Sequence, residues 1–433
     1  MVTYASEIAH WPALALETLQ TLPNFAIATL AALPDESAII LRQVIADERL
    51  SNLEFEHLLT SLRRSIREQV AMGISAAPVR PLLCGLAIQG YRHGYPFQHA
   101  PGEDESSDPL MRACYAPLEE ELPEDGDPWI EALNRVHIRE PLRQDDLVLT
   151  PKSLGPVMDA VSRRVRAQYE EHPYPHWWRQ GITNVAPERT GTMLVAGCGT
   201  GQQPIGLAQH FPNMQITAVD LSRASLGYAM MRAEDFGITN IDWVHGDLLD
   251  IGRLGKTFDT ITCVGVLHHM RDPAAGLKAL AAVLKPGGDI KFAVYPKSSR
   301  GSVVAGIALR GQLRVAPTPD GIRAFRQVVA SLPPQHAARK LAKSGEFYSL
   351  QSCRDMVFDE QEHRFDMPML KALIAGSDLE FVLIQSAPKM QEMFRNMFPG
   401  RAVETDLDAW QEFEAKYPGC FRNFYRVIMR KPA

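Results

Sequence analysis

The chain has 433 residues, 45% of them hydrophobic, and a formal charge of -6, which is enough apolar material for a large core and two or three domains. No apolar run approaches the ~18 residues of a membrane span, and Met1 to Trp11 lacks the basic start and apolar stretch of a signal peptide, so a cytoplasmic location is expected. Cys84, Cys114, Cys198, Cys263, Cys353 and Cys420 are scattered without a Cys-x-x-Cys pair, which indicates neither a zinc site nor a disulfide framework.

From Trp11 to about Ala71 apolar residues recur at helical spacing, with Pro23 and Pro34 ending segments, and a helical bundle is predicted. Ser51 and Glu54 form a capping box, after which Leu58, Leu59, Leu62, Ile66 and Val70 trace one face of a helix. That stripe reads as core. Helical spacing returns over Pro81 to Tyr91. The stretch Pro101 to Pro128 reads as an exposed loop, with ten acidic residues between Glu103 and Asp127 against Arg112 alone. Trp129 to Arg135 is a short helix, and Ser153 to Glu171 an amphipathic one carrying Arg163, Arg164 and Arg166. It leads into His172-Pro-Tyr-Pro-His-Trp-Trp-Arg179, where two X-Pro steps enforce extended backbone. Tyr169, Tyr174 or Trp177 could offer a ring face or hydroxyl to a cation, and a hydrophobic plug joining two domains is an equal reading.

Met193 to Gly201, Met-Leu-Val-Ala-Gly-Cys-Gly-Thr-Gly, opens the second half as a buried parallel strand followed by a tight turn at Gly197, Gly199 and Gly201. Gln202 to His210 then begins a helix, whose N-terminus offers free NH groups. The G-x-G-x-G spacing is not the G-x-G-x-x-G of nicotinamide and flavin folds, which makes a dehydrogenase the least favoured reading. Gln215 to Val219 is a second strand ending at Asp220, where a carboxylate can accept both ribose hydroxyls. Ile241 to His245 ends in Gly246-Asp247, and Phe258 to Val266 closes with Leu267, His268, His269 and Met270. Lys285-Pro286-Gly287-Gly288 is a turn before a fifth strand, Asp289 to Tyr295.

The insertion Pro296 to Asp366 is too long for an ordinary connection. It reads as three or four helices broken at Pro317, Pro319, Pro333 and Gly345, and its place after a strand's carboxyl end predicts a cap over a substrate pocket. Between Lys297 and Lys343 it carries nine basic residues against Asp320, by default a solvated surface and, more sharply, a basic face for an anionic substrate. Pairing of this face with the acidic Glu103 to Asp127 stretch is the competing account. Met367 to Ala375 and Leu407 to Lys416 are helices; Leu379 to Gln385 and Phe421 to Arg430 are the sixth and seventh strands.

Together, the glycine turn, Asp220, Gly246-Asp247, Val266-Leu-His-His269 and Lys285-Pro-Gly-Gly288 resemble the class I S-adenosylmethionine-dependent methyltransferases, from about Arg189 to the C-terminus. Gln168-Tyr-Glu-Glu-His-Pro-Tyr-Pro-His-Trp177, Val195-Ala-Gly-Cys-Gly-Thr-Gly-Gln202 and Gln361-Glu-His-Arg-Phe365 are similar to a bacterial group often fused to tetratricopeptide repeats, a looser match reaching back to about Asn52. No helical repeat array is recognised here. The resemblance implies an α/β fold: a Rossmann-like seven-stranded methyltransferase sheet with an N-terminal helical domain (1–150), a helix and aromatic linker (151–190), and a catalytic domain (191–433) containing a helical cap at about 297–366.

The same resemblance implies S-adenosylmethionine as cofactor, held by Gly197, Cys198, Gly199, Gly201, Gln202, Asp220, Leu221, Asp247, Leu248, Val264 and His269, with Asp220 on the ribose hydroxyls and Asp247 on the adenine amino group. It places Tyr169, Tyr174 and Trp177 on the substrate side and makes His268, His363 and Glu362 acid/base candidates. A histidine capping the next helix is the bland alternative for His268 or His269, and a surface turn for Glu362 and His363. The acceptor is an oxygen or nitrogen on a small molecule or protein, with an anionic one favoured by the basic insertion; no metal, nucleic acid or membrane is implied. One position departs from the family pattern. Many members carry an acidic residue two places before the first glycine, where this chain has Val195, which leaves Glu170, Glu171 or carbonyls near Ala196 for the cofactor's ammonium group. A binding or regulatory protein that keeps the fold without turnover is the alternative function.

Overall fold

The computed structural model describes residues 11–22, 24–47, 52–97, 99, 102–181 and 185–433. They form two compact units, Met1–Arg143 with Ala305–Phe358, and Gln144–Val304 with Asp359–Ala433.

The first unit is helical. Helix Leu53–Ala71 starts at Asn52, whose side chain accepts the Phe55 amide at 2.8 Å. Ser51 of the expected capping box, like Pro23, lies outside the described residues. Leu59, Leu62 and Ile66 are fully buried, as the spacing predicts, each contributing roughly 1.5–3 kcal/mol. Leu58 and Val70 are only half-buried, because Phe55, Glu56 and Arg63 turn inward and rotate the face. Helix Arg80–His93 is buried along most of its length and stops at Gly94 in the left-handed region, φ 71°. The short helix at Pro128–Asn134 runs on through a π turn, Arg135–Arg139, into Glu140–Leu147. Pro141 removes an amide from that ladder and widens it.

The insertion supplies helices Gly301–Leu313, Pro319–Ser331 and Leu350–Val357. Its span Ala305–Phe358 belongs to this helical unit. Arg326 Nη2 lies 2.6 Å from Glu56 Oε2, both side chains buried, and the same guanidinium donates to the carbonyls of Phe347 and Pro96. The acidic stretch finds other cations: Glu103 pairs with Arg64 at 2.6 Å, Glu121 with Arg139 at 2.7 Å and Asp127 with Arg80 at 3.8 Å.

The second unit is built on one sheet of eight strands, β1 (Lys152–Ser153), β2 (Gly191–Ala196), β3 (Met214–Asp220), β4 (Ile241–His245), β5 (Phe258–Val264), β6 (Leu284–Val294), β7 (Glu380–Gln385) and β8 (Tyr425–Arg430), in the order β1-β4-β3-β2-β5-β6-β8-β7. The first six strands in that order form five parallel pairs, and β8 is antiparallel to β6 and β7. Leu194, Val195, Ile216, Ala218, Ile261 and Cys263 are fully buried, as strands covered on both faces require.

Four local expectations change. The acidic stretch expected as an exposed loop holds a helix, Pro109–Ala113, with Leu110, Met111 and Ala113 buried. The predicted helix from Ser153 begins only at Ala160, capped by Asp159, because Lys152 and Ser153 pair with Val244 and His245 as an eighth, edge strand and Gly155-Pro156 breaks the chain. β6 starts at Leu284, its Lys-Pro-Gly-Gly segment absorbed as an irregular entry with a register shift opposite Phe258 to Thr260. β8 starts at Tyr425 rather than Phe421.

Strand order reverses between β2 and β5, where Val195 is the partner of Thr262. The carboxyl ends of such a pair open a crevice for ligands. After β6 the chain leaves and returns side by side: Phe365 N donates to Tyr295 O at 2.9 Å and Lys297 N to Phe365 O at 2.7 Å. No helix among the described residues is long and apolar enough to cross a membrane.

Candidate functional site

β2 delivers the chain into Gly197-Cys198-Gly199-Thr200-Gly201. The three glycines have φ of 70°, 52° and 85°, a region costly for residues with a Cβ. Close approaches enforce them as well. A Cβ on Gly197 would lie 2.1 Å from Val266 Cγ2, on Gly201 2.6 Å from Ala229 Cβ, and on Gly199 2.6 Å from Tyr174 O. The backbone pressed against Gly199 is therefore that of the aromatic segment. Thr200 Oγ1 donates to Pro175 O, Trp177 Nε1 donates to Thr200 O at 3.0 Å, and Tyr228 OH donates to Trp177 O. Trp177 is fully buried and stacked on Phe236, so it pins the segment to the turn and presents no face to a ligand. Tyr169 and Tyr174 are half-buried, with Tyr169 O accepting from Ser222 Oγ at 2.9 Å.

Asp220 stands at the end of β3. Its Oδ2 accepts Gly199 N at 2.7 Å and its Oδ1 accepts Ser222 N at 2.9 Å. Burial, reinforced by the charge of Glu170, pushes this carboxyl up to about 6. A carboxylate has about four acceptor positions, and the backbone amides of Gly199, Ser222 and Leu221 face this one, which leaves room for a further donor. Asp247 is buried and caps the turn Leu248–Leu254 by accepting Leu249 N at 3.0 Å. Cys198 and Leu248 are buried, Leu221 and Val264 half-buried at strand ends, and Gln202 opens helix Gln202–His210. Glu170 is committed elsewhere: it accepts the amides of Arg223 at 3.0 Å and Ala224 at 2.9 Å at the start of helix Arg223–Asp235. Glu171 is exposed, 3.6 Å from His172.

Past β5 the turn Leu267–His269 buries both histidines. The His268 ring is 4.1 Å from that of Tyr295 and 4.3 Å from that of His269, and neither of its nitrogens has a protein partner among the described residues. Burial, and secondarily the charges of His269, Arg300 and His363, hold it well below the ordinary imidazole pKa, so it stays neutral. His269 Nδ1 lies 2.7 Å from Gln361 O and 3.0 Å from Asp359 Oδ2, while Asp359 Oδ1 accepts Gln168 Nε2 at 3.2 Å.

Glu362 and His363, far along the chain, arrive beside this pair, but both are engaged. Glu362 is buried against Arg300, whose guanidinium sits 4.0 Å over the Tyr295 ring. The His363 amide donates to His268 O at 2.7 Å and its Nε2 is 3.0 Å from Met270 O. Phe424 stacks on Tyr295 at 4.9 Å. Tyr295, Arg300, Asp359 and Phe424 are participants that sequence reasoning missed. The one local signal was the place of Tyr295 at the end of a predicted strand. Chemically, the cluster offers a neutral nitrogen lone pair enclosed by aromatic rings.

A family model described as a methyltransferase domain matches residues 193–288, from β2 into β6. An uncharacterised protein of Synechococcus sp. is 30% identical over 285 residues, 59% of this chain and 68% of that one. A ubiquinone biosynthesis O-methyltransferase of Paracidovorax citrulli is 28% identical over 141 residues, 32% of this chain and 57% of its own, so the chain spans little more than half of that relative. Among solved structures, PKMT2 from Rickettsia typhi in complex with AdoHcy aligns with a TM-score of 0.42 at 14% identity, over 64% of this chain and 54% of that one. The span matched by the family model holds the glycine turn, Asp220, Asp247, His268 and His269, and the chain belongs to the class I S-adenosylmethionine-dependent methyltransferases.

Proposed function

We propose that this protein transfers the methyl group of S-adenosylmethionine to an oxygen or nitrogen on a small molecule or protein side chain. The observation that carries the reading is His268, a buried neutral imidazole in the turn after β5 whose ring nitrogens have no protein partner among the described residues; β5 is the strand paired with β2, which leads into the glycine turn. When bound, the cofactor supplies a methyl group on a positively charged sulfur. The turn Gly197 to Gly201, Asp220 and Asp247 would hold it, Asp220 by accepting ribose hydroxyls. Displacement at a sulfonium needs no covalent nucleophile, so the chain's work is positioning. With a hydroxyl acceptor, His268 takes the proton as the methyl group moves and later releases it to water. Glu362 neutralises Arg300 beneath Tyr295 and His363 holds the His268 backbone, which makes both positioning residues. The O-methyltransferases among the relatives favour an oxygen acceptor.

His268→Phe keeps a ring in the stack and removes the base. Cofactor affinity should stay at the wild-type value while turnover with an acceptor from a metabolite extract falls roughly 10²–10⁴-fold. Equal turnover in the two proteins would remove His268 from the chemistry, and cofactor binding without turnover of any extract would favour a binding protein.

A further inference from the structure

We propose that the helical unit binds a small organic anion, a carboxylate or phosphate on a short apolar body, in a cavity bordered by helices Leu53–Ala71 and Pro319–Ser331. The cavity measures about 230 Å³ and is built wholly from residues of that unit, among them Glu56, Thr60, Arg64, Phe97, Arg323 and Arg326. None of these residues enters the methyl-transfer reading.

Charge selects an anion. Three guanidinium groups line the cavity: Arg64 is paired with Glu103, and Arg326 holds the lining Glu56 at 2.6 Å with both side chains buried, which leaves Arg323 as the cation for a ligand. Carbonyls of Phe347 and Pro96 fix the same guanidinium, so it is oriented before a ligand arrives. Arg323 is similarly tethered, its Nε donating to Tyr95 O at 2.8 Å. Its counter-ion Asp320 is 94% exposed while Arg323 is 17% exposed, so water screens the pair and the cation faces weak competition.

A second observation is independent of the lining. Arg63 is 1% exposed, and its Nε and Nη1 have no partner among the described residues. Its guanidinium sits 3.4 Å from the centroid of the Phe97 ring and its Nη2 donates to Thr60 Oγ1 at 3.1 Å, and both Phe97 and Thr60 line the cavity. A buried cation short of acceptors is costly; Glu56 and Glu103 already offset part of that cost, and an anion against Phe97 and Thr60 would add to that offset. Phe97, Phe347, Leu53 and Ala330 provide the wall for an apolar body. The volume falls below the roughly 300–1,000 Å³ of drug-sized sites, which suits a small anion.

Isothermal titration of the full chain with benzoate, phenyl phosphate and inorganic phosphate tests this, the first two distinguishing the head groups. Benzoate or phenyl phosphate should bind saturably, more tightly than inorganic phosphate, and more weakly as salt is raised. Arg323→Gln should weaken binding about tenfold or more. Ala330→Phe, which fills the cavity and keeps every charge, should abolish it, with cofactor affinity and thermal unfolding like wild type in both variants. Failure of all three probes to saturate by about 10 mM, or equal binding by wild type and Ala330→Phe, overturns the proposal.

Discussion

At Asp220 one carboxylate ties the glycine turn to the start of the following helix, and burial lifts its pKa from 3.8 to about 6. The folded protein therefore keeps this proton longer than the unfolded chain. The stability so gained is fully present below about pH 3.8 and is lost as the pH rises through about 6, on the order of 3 kcal/mol across the window. Urea unfolding of wild type and Asp220→Ala from pH 4 to 7 should show the wild-type advantage shrinking with pH; a constant difference would mean that Asp220 does not titrate there. On the proposed role, ribose hydroxyls would donate to the ionised form, so Asp220→Ala should weaken cofactor binding by roughly 1.5–3 kcal/mol, about 10–100-fold, and an unchanged dissociation constant would sink the assignment.

At the scale of elements, the glycine turn and the aromatic segment act as one piece. Gly199→Val would drive a Cβ to 2.6 Å from Tyr174 O at a φ of 52°, so it should displace both and abolish cofactor binding while the helical unit stays folded. Normal S-adenosylhomocysteine binding by that variant would place the cofactor elsewhere. The stem of the insertion depends on the buried Arg300 and Glu362 pair. Glu362→Ala removes the carboxylate facing a buried guanidinium and should cost about 3–5 kcal/mol, whereas Arg300→Met with Glu362→Leu should cost less. Equal losses in urea unfolding would show that the cost comes from losing the pair itself and not from a stranded charge.

For the whole molecule, order along the chain and order in space differ. The basic insertion, by default a solvated surface and more sharply a face for an anionic substrate or the acidic stretch, sends Arg326 to Glu56, 270 residues away, and Arg310 to the carbonyl of Val357 at 2.8 Å. Arg326→Ala should therefore destabilise the helical unit by about 3–5 kcal/mol and speed limited proteolysis within residues 52–97, with cofactor affinity retained. Proteolysis at the wild-type rate would contradict that dependence.

What the sequence determined by itself is what short-range chemistry writes into adjacent residues. Apolar runs such as Met193 to Ala196 bounded by glycine read as strands buried on both faces, and Gly197, Gly199 and Gly201 read as a turn because only glycine tolerates those dihedrals. Helix Leu53–Ala71 was legible from its period, but the inward turn of Glu56 and Arg63 was not, since a hydrophobic count is blind to polar groups whose partners arrive from elsewhere. Only the tertiary structure decided that Ser153 pairs as an edge strand, that Glu362 meets Arg300, and that Tyr295 and Phe424 enclose His268. The physical reason is the same in each case: strand pairing, ion pairing and ring stacking are non-local contacts, and no residue type or spacing encodes the partner until the intervening chain has folded.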